Sequence, residues 1–224
     1  PAKGLGPPMI LLVTLQELRD TIGLDVTARI ERIIDEVRRD FLKPDLRCLM
    51  ETVAPDGGII DHYDGRMLNP GHAIECAWFL LLEGQYRDDD ALIRLGTDIL
   101  DWMYERGWDR EHGGLLYFVD LNGLPVQEYW HDMKFWWPHN ELINASLLAS
   151  VLTGEPRFAE MHRQAHDWAY RHFPDPEHGE WYGYLHRDGS IASRAKGNLW
   201  KGPFHMPRMQ LAGWQLLKTI GESA

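Results

Sequence analysis

The stretch Asn198-Leu-Trp200-Lys-Gly-Pro-Phe-His205-Met-Pro-Arg208 decides the fold, because the chain carries it more than once. It sets a histidine and an arginine beside aromatic residues and a proline-marked bend. It stands at the mouth of an apolar run that ends near Leu217. Asn69-Pro-Gly-His72-Ala-Ile-Glu75 opens an apolar run in the same way, and so does Trp136-Trp137-Pro138-His139-Asn-Glu141. His72 to His139 is 67 residues and His139 to His205 is 66. A fourth copy without a histidine, Gly6-Pro7-Pro8-Met9-Ile10-Leu11-Leu12, lies about one period earlier. A fixed period of this length marks a repeat architecture.

Working outward, each copy opens the same sequence of elements. In the first cycle Pro8 to Arg19 reads as a buried helix, and Asp25 to Phe41 as its amphipathic partner. Val26, Ile30, Ile33, Ile34, Val37 and Phe41 follow the 3.6-residue period. Leu49 to Arg66 reads as turns between short strands. In the second cycle His72 to Leu82 is the buried helix, Asp88 to Arg106 the amphipathic one, and Trp108 to Gly123 a hairpin. In the third, these become Pro138 to Val151, Glu155 to Phe173 and Pro174 to Gly189. Asp109/Asp175, Glu111/Glu177, His112/His178 and Gly113/Gly179 are each 66 residues apart. The fourth cycle has only its inner helix, His205 to Ile220. Helices too apolar to face water must be enclosed by outer ones. The expected fold is therefore all-α: an α/α toroid of helical hairpins with short β-hairpins. The N-terminal ends of its inner helices converge on one face, where the helix dipoles favour developing negative charge.

Composition narrows the function. A net charge of −11 argues against a nucleic-acid partner, which would demand a basic face. Ten tryptophans are many, and tryptophan is a stacking surface for sugar rings as well as core material. Cys48 and Cys76 fit buried thiols in a reduced compartment better than a disulfide framework, and no metal-type cysteine spacing exists. Pro8 to Val13 is too short to span a membrane, and no signal peptide is visible, so a cytoplasmic protein is expected. The chain begins with proline, as a processed chain or a piece of a longer one does.

Four stretches give the chain a family resemblance. Asn69-Pro-Gly-His72-Ala-Ile-Glu75-Cys-Ala-Trp-Phe-Leu-Leu, Met133-Lys-Phe-Trp-Trp-Pro-His139-Asn-Glu141, Pro176-Glu-His-Gly-Glu180-Trp-Tyr-Gly-Tyr and Lys201-Gly-Pro-Phe-His205-Met-Pro-Arg208 run in the order found in the N-acylglucosamine 2-epimerase family. The family folds as an (α/α)6 barrel. The resemblance implies that residues 1–224 are the C-terminal portion of one such domain, about four of six hairpin cycles. It also implies that an arginine lining the family's sugar site lies outside this chain. Related cellobiose 2-epimerases and aldose–ketose isomerases carry a further histidine where this chain has Ile10, which leans the substrate towards an N-acyl sugar.

Epimerising C2 of an aldose requires a base, an acid and stabilisation of an enediolate oxygen. Histidine suits the first two roles because its ordinary pKa lies near neutrality. By resemblance, His72 and His205 are the acid/base pair. Glu75, one helical turn after His72, orients the imidazole or holds a sugar hydroxyl, or is an ordinary buried partner. Glu141 is a candidate hydroxyl binder. Arg208, one turn after His205, stabilises the enediolate or pairs with Glu75 or Glu141. Trp136, Trp137 and Trp200 are candidate stacking walls, with core packing as the alternative. His139 shares the repeat position but is given no proton transfer. His112 and His178 fit turn-forming better than metal binding.

The resulting expectation is a sugar epimerase interconverting N-acylglucosamine and N-acylmannosamine. It needs no cofactor or metal for the chemistry, and ATP or another nucleotide is a possible activator with no site assigned. The expected partners are a small-molecule sugar and a second copy in a homodimer, with no nucleic acid and no membrane. The alternatives are an aldose–ketose isomerase acting on mannose-like sugars, a glycoside hydrolase using Glu75 and Glu141, or a truncated, non-catalytic carbohydrate-binding chain.

Overall fold

The structure, a computed structural model, describes residues 1–223. Its helices are α1 (Gly6–Ile22), α2 (Thr27–Glu36), α3 (Tyr63–Arg66), α4 (Pro70–Arg87), α5 (Asp90–Gly107), α6 (Trp136–Thr153), α7 (Pro156–His172) and α8 (His205–Ser223). The strands are two or three residues long: β1 (Lys3–Gly4), β2 (Leu42–Lys43), β3 (Cys48–Leu49), β4 (Thr52–Val53), β5 (Met67–Leu68), β6 (Val119–Asp120), β7 (Lys134–Phe135), β8 (Tyr184–Leu185) and β9 (Ile191–Ser193). All their pairings are antiparallel.

The helices form two layers. Inner helices α1, α4, α6 and α8 pack side by side in that order, and α2, α5 and α7 cover α1, α4 and α6 from outside. The residue pattern dictates which helix goes where. In α6 every residue from Trp136 to Ala149 is buried, so no face is left for water. In α4 Cys76, Ala77, Phe79, Leu80 and Leu81 are fully buried on successive faces. By contrast α5 buries Leu92, Gly96, Ile99, Leu100 and Met103 along one side and leaves its other side half-buried or exposed, as an outer helix should. Gly96 allows α5 to approach closely: a Cβ there would lie 2.7 Å from the Leu81 side chain.

Helix ends follow local chemistry. The Asn69 side chain accepts a hydrogen bond from His72 N at 3.1 Å, which caps α4 and fixes where it starts. Asp89 caps α5 in the same way. Gly23 and Gly154, at φ 68° and 66°, close α1 and α6 in the left-handed conformation that favours glycine.

Three expectations need correction. The first helix is longer than Pro8–Arg19, because Gly6 and Pro7 are already helical. The second ends not in regular α-helix but in a π-helical turn over Val37–Phe41, which still buries Val37 and Phe41. The stretches 108–123 and 174–189 are not self-contained hairpins. Each closes a tight loop by one bridge, Trp108 to Leu115 and Pro174 to Trp181, and then sends its strand to a distant partner. Thus β6 pairs with β5 and β8 with β7, while β8 also pairs locally with β9 across the turn at Asp188-Gly189. Asp109 Oδ1 accepts from the backbone N–H groups of Glu111 and His112, and Asp175 Oδ1 from those of Glu177 and His178. The repeated Asp-x-Glu-His-Gly motif therefore shapes a turn.

Beneath the first of these loops Lys134 is wholly buried, its Nζ 3.0 Å from Asp109 Oδ2, and Arg187 holds the same carboxylate. Burial pulls the Lys134 pKa down to about 8, against the opposing pull of Asp109. Burial works against charge on Asp109, but hydrogen bonds from Arg187 and Lys134 outweigh it and hold its carboxyl well below the usual range.

Candidate active site

The N-terminal ends of the four inner helices meet at one cavity of about 680 Å³. Gly6 of α1, His72 of α4, Trp136 and Trp137 of α6 and His205 of α8 line it, each within the first three residues of its helix. A cavity of this size, walled by aromatic groups with a few convergent polar ones, suits a small ligand.

Two histidines face it, from the helices on either side of α6. His72 Nδ1 lies 3.0 Å from both carboxylate oxygens of Glu51, in the turn between β3 and β4. His205 Nδ1 lies 2.6 Å from Glu141 Oε1. In each pair the carboxylate fixes the ring and leaves Nε2 for a substrate. Trp137 stands between them, its ring centroid 4.9 Å from that of His72 and 5.5 Å from that of His205. Burial works against charge on His72. The Glu51 hydrogen bond and charge, with Glu75 and Glu141 beyond, more than offset it, so the pKa stands above the ordinary histidine value.

Glu75, Glu141 and Arg208 occupy equivalent repeat positions, 66 and 67 residues apart, and all three meet. Arg208 Nη2 donates to Glu75 Oε1 at 2.5 Å and to Glu141 Oε1 at 2.7 Å. Trp78 Nε1 donates to Glu141 Oε2 at 2.7 Å. Burial pushes the Glu75 carboxyl up to about 7, aided by the charge of Glu141 and opposed by Arg208. Burial pushes Glu141 the same way, but its hydrogen bond with His205 and the charge of Arg208 outweigh this and lower it. One ligand atom each from Glu75, Glu141 and His205 falls within 4.8 Å of the others, a metal-like spacing. The Arg208 guanidinium already bonds to both carboxylates, so the cluster has its own cation.

The same numbering explains His139. It sits two residues before Glu141, whereas His72 and His205 sit three before Glu75 and Arg208. One residue turns a helical side chain by about 100°. His139 accordingly points outwards: Leu115 N donates to its Nε2 at 2.9 Å, Nδ1 meets Phe135 O, and the ring stacks on Trp168. Burial drives its pKa down to about 3.

Of the residues singled out from sequence, His72, His205, Glu75, Trp136, Trp137 and Trp200 line the cavity. Glu141, read as a hydroxyl binder, and Arg208, read as stabilising the enediolate or pairing with Glu75 or Glu141, lie one layer behind the wall; Arg208 makes both ion pairs and Glu141 holds His205. Glu75 does not hold the His72 ring; that partner is Glu51, which sequence reading missed. Its only signal was a charged residue directly after the buried run Cys48-Leu49-Met50. Met9, Tyr117, Trp130, Met133, Phe135, Tyr184 and Phe204 also line it. Ile10 is on it too, at the place where histidine was contrasted above.

Residues 21–205 match the profile of the N-acylglucosamine 2-epimerase family. The chain belongs to that family. It is 37% identical to the N-acylglucosamine 2-epimerase of Bos taurus over 231 residues, covering 98% of this chain and 53% of the bovine one. To that of Homo sapiens it is 37% identical over 219 residues, covering 92% and 49%. The chain thus spans about half the length of the curated relatives it matches. A crystal structure of a D-mannose isomerase superposes with a TM-score of 0.83 at 21% identity, covering 98% of this chain and 57% of that one. The cellobiose 2-epimerase of Spirochaeta thermophila superposes at 0.82 and 23%, covering 98% and 54%. These likenesses bear out the (α/α)6 toroid fold. Among the described residues no helix is long and apolar enough to cross a membrane.

Proposed function

We propose that the chain carries the proton-transfer half of a sugar 2-epimerase, interconverting an N-acylglucosamine and an N-acylmannosamine. The observation that carries this reading is the pair of cavity-facing histidines, each braced at Nδ1 by its own carboxylate, on the two sides of Trp137. In the open-chain sugar the C2–H bond is acidified by the C1 carbonyl. A neutral histidine takes that proton as the C2–H electron pair forms the C1–C2 double bond of an enolate whose charge rests on the C1 oxygen. The other histidine, charged, returns a proton to the opposite face. The raised pKa of His72 suits it to start as the charged partner when C2 is deprotonated from the His205 side. The enolate charge develops where the N-termini of α4, α6 and α8 converge. No redox change occurs, so the chemistry itself calls for no cofactor, and a nucleotide would act as an activator.

Glu75 and Glu141 serve poorly as a hydrolytic pair, because both are committed to one nitrogen of Arg208 and Glu141 does not reach the cavity wall. We also infer that residues 1–224 form the C-terminal portion of an (α/α)6 domain acting in the cytoplasm. Leu211, Trp214 and Leu217 of α8 are each more than half exposed, an apolar face that a homodimer or further helices would cover.

Proton NMR in D2O tests the reading with N-acetylmannosamine, N-acetylglucosamine, mannose and cellobiose, each with and without ATP. Loss of the C2 proton signal from an N-acyl sugar, with its epimer appearing, is the expected result. Mannose giving fructose would replace it with aldose–ketose isomerisation.

A further inference from the structure

The cavity holds one group that two-base chemistry leaves unused. Among its described lining residues, Glu75 is the sole carboxylic acid; the partners Glu51 and Glu141 stand behind the histidines. Glu75 is one helical turn from His72 on the same face of α4. A carboxylate oxygen of Glu75 also lies within 4.8 Å of a ring nitrogen of His205. Its position is fixed by Arg208, which binds Oε1 at 2.5 Å, and its side chain is 2% exposed.

Chemical balance supplies the need. An epimerisation through two bases ends with the histidines in the wrong states for another turnover in the same direction. The one that took the C2 proton is now an imidazolium, and the one that gave its proton is neutral. Before the next turnover one proton must leave the first ring and one must reach the second. Water reaches the rings in part, since the His72 and His205 side chains are 30% and 18% exposed, but Glu75, at 2%, offers an internal route between them.

We infer that Glu75 is the group that resets the two histidines between turnovers, passing a proton from one imidazole to the other. As a carboxylic acid it gives its O–H proton to the neutral ring, and the resulting carboxylate takes the extra N–H proton from the charged ring. The sum is one proton moved, with no net change at Glu75. Glu75 therefore acts through the histidines rather than on the sugar. A carboxyl held near 7 can pass a proton in either direction at neutral pH, whereas one of ordinary acidity would remain ionised. This rests on the epimerase reading above.

The test is rapid-quench kinetics of Glu75→Gln with N-acetylmannosamine, its folding checked by thermal melting. The amide keeps the shape and one acceptor oxygen but cannot shuttle a proton. The expected result is a burst of about one product per active site, within a few-fold of the wild-type rate, followed by turnover at least tenfold slower. The wild type should show no burst, and Glu75→Asp should recover part of the later rate. Equal slowing of the first and later turnovers would mean that Glu75 only holds structure, and would overturn the inference. Should Glu75→Gln not fold, the wild type is given C2-deuterated sugar mixed with undeuterated 13C-labelled sugar in H2O. Deuterium appearing at C2 of the 13C product supports the shuttle, and none appearing overturns it. Failure of the wild type to exchange the C2 proton of any sugar would instead sink the epimerase reading itself.

Discussion

His205 Nδ1 lies 2.6 Å from Glu141 Oε1, and that carboxylate is completely buried. The contact joins two inner helices, α6 and α8, at the point where a proton would be exchanged with substrate. The same oxygen accepts from Arg208, and the other oxygen accepts from Trp78. Three side chains from two neighbouring helices, α4 and α8, therefore depend on one carboxylate.

Replacing Glu141 with Gln should lower kcat by about 10²-fold, with KM changed less than threefold, because the ring loses the partner that orients it and steadies its charge. It should also lower stability, since Arg208 would then be left with Glu75 alone. Steady-state kinetics beside a thermal melt checks both. A change confined to KM would place Glu141 on the substrate instead.

Gly71 sits beneath the indole of Trp137. A Cβ there would lie 2.7 Å from the ring and 2.9 Å from Pro138 Cβ. Gly71→Ala should therefore displace the wall between His72 and His205 and cost at least about tenfold in kcat/KM. Pairing it with Trp137→Phe, which makes room, should recover part of the loss relative to Gly71→Ala alone. A double-mutant cycle in kcat/KM measures that recovery.

The buried Lys134–Asp109–Arg187 cluster gives an asymmetric stability prediction. Asp109→Ala leaves the Lys134 ammonium buried without its anion and should cost about 3–5 kcal/mol. Lys134→Met should cost less, because Arg187 still neutralises Asp109. Urea denaturation of both variants decides, and a larger loss for Lys134→Met would contradict the assignment.

His139 makes stability depend on pH. Its folded pKa, near 3, lies below the unfolded value of about 6.5, so the unfolded chain binds the proton more tightly. The contribution is whole above about pH 6.5 and is lost progressively as pH falls towards 3, at up to about 1.4 kcal/mol per pH unit. His139→Gln should remove one proton's worth of that slope between pH 4 and 6. An unchanged slope would mean that other groups carry it.

Much of the fold was legible because burial leaves a pattern. Helices such as α6, apolar on every face, can sit only inside, and the 66–67-residue period fixed the order of layers. The π-helical turn at Val37–Phe41 was not legible, since its residues continue the ordinary 3.6 period. The distant strand pairings β5–β6 and β7–β8 were not legible either, because two-residue strands leave no alternation to read. Within the site, the histidines stood out by their place in the repeat. Glu51 did not, because it reaches His72 across a turn, at a separation no helical or strand spacing encodes. The register that sends His139 outwards was present in the numbering, but became readable only once Glu75, Glu141 and Arg208 were seen to meet.

His72 and His205 are proposed to exchange the C2 proton of a sugar together. The most direct measurement is C2 proton exchange by NMR in D2O for the wild type, His72→Asn and His205→Asn, with sugar binding followed by calorimetry on the same samples. Both variants should still bind the N-acyl sugar while epimer formation falls at least about 10³-fold in each. Retained turnover in either variant, with binding intact, would contradict that proposal.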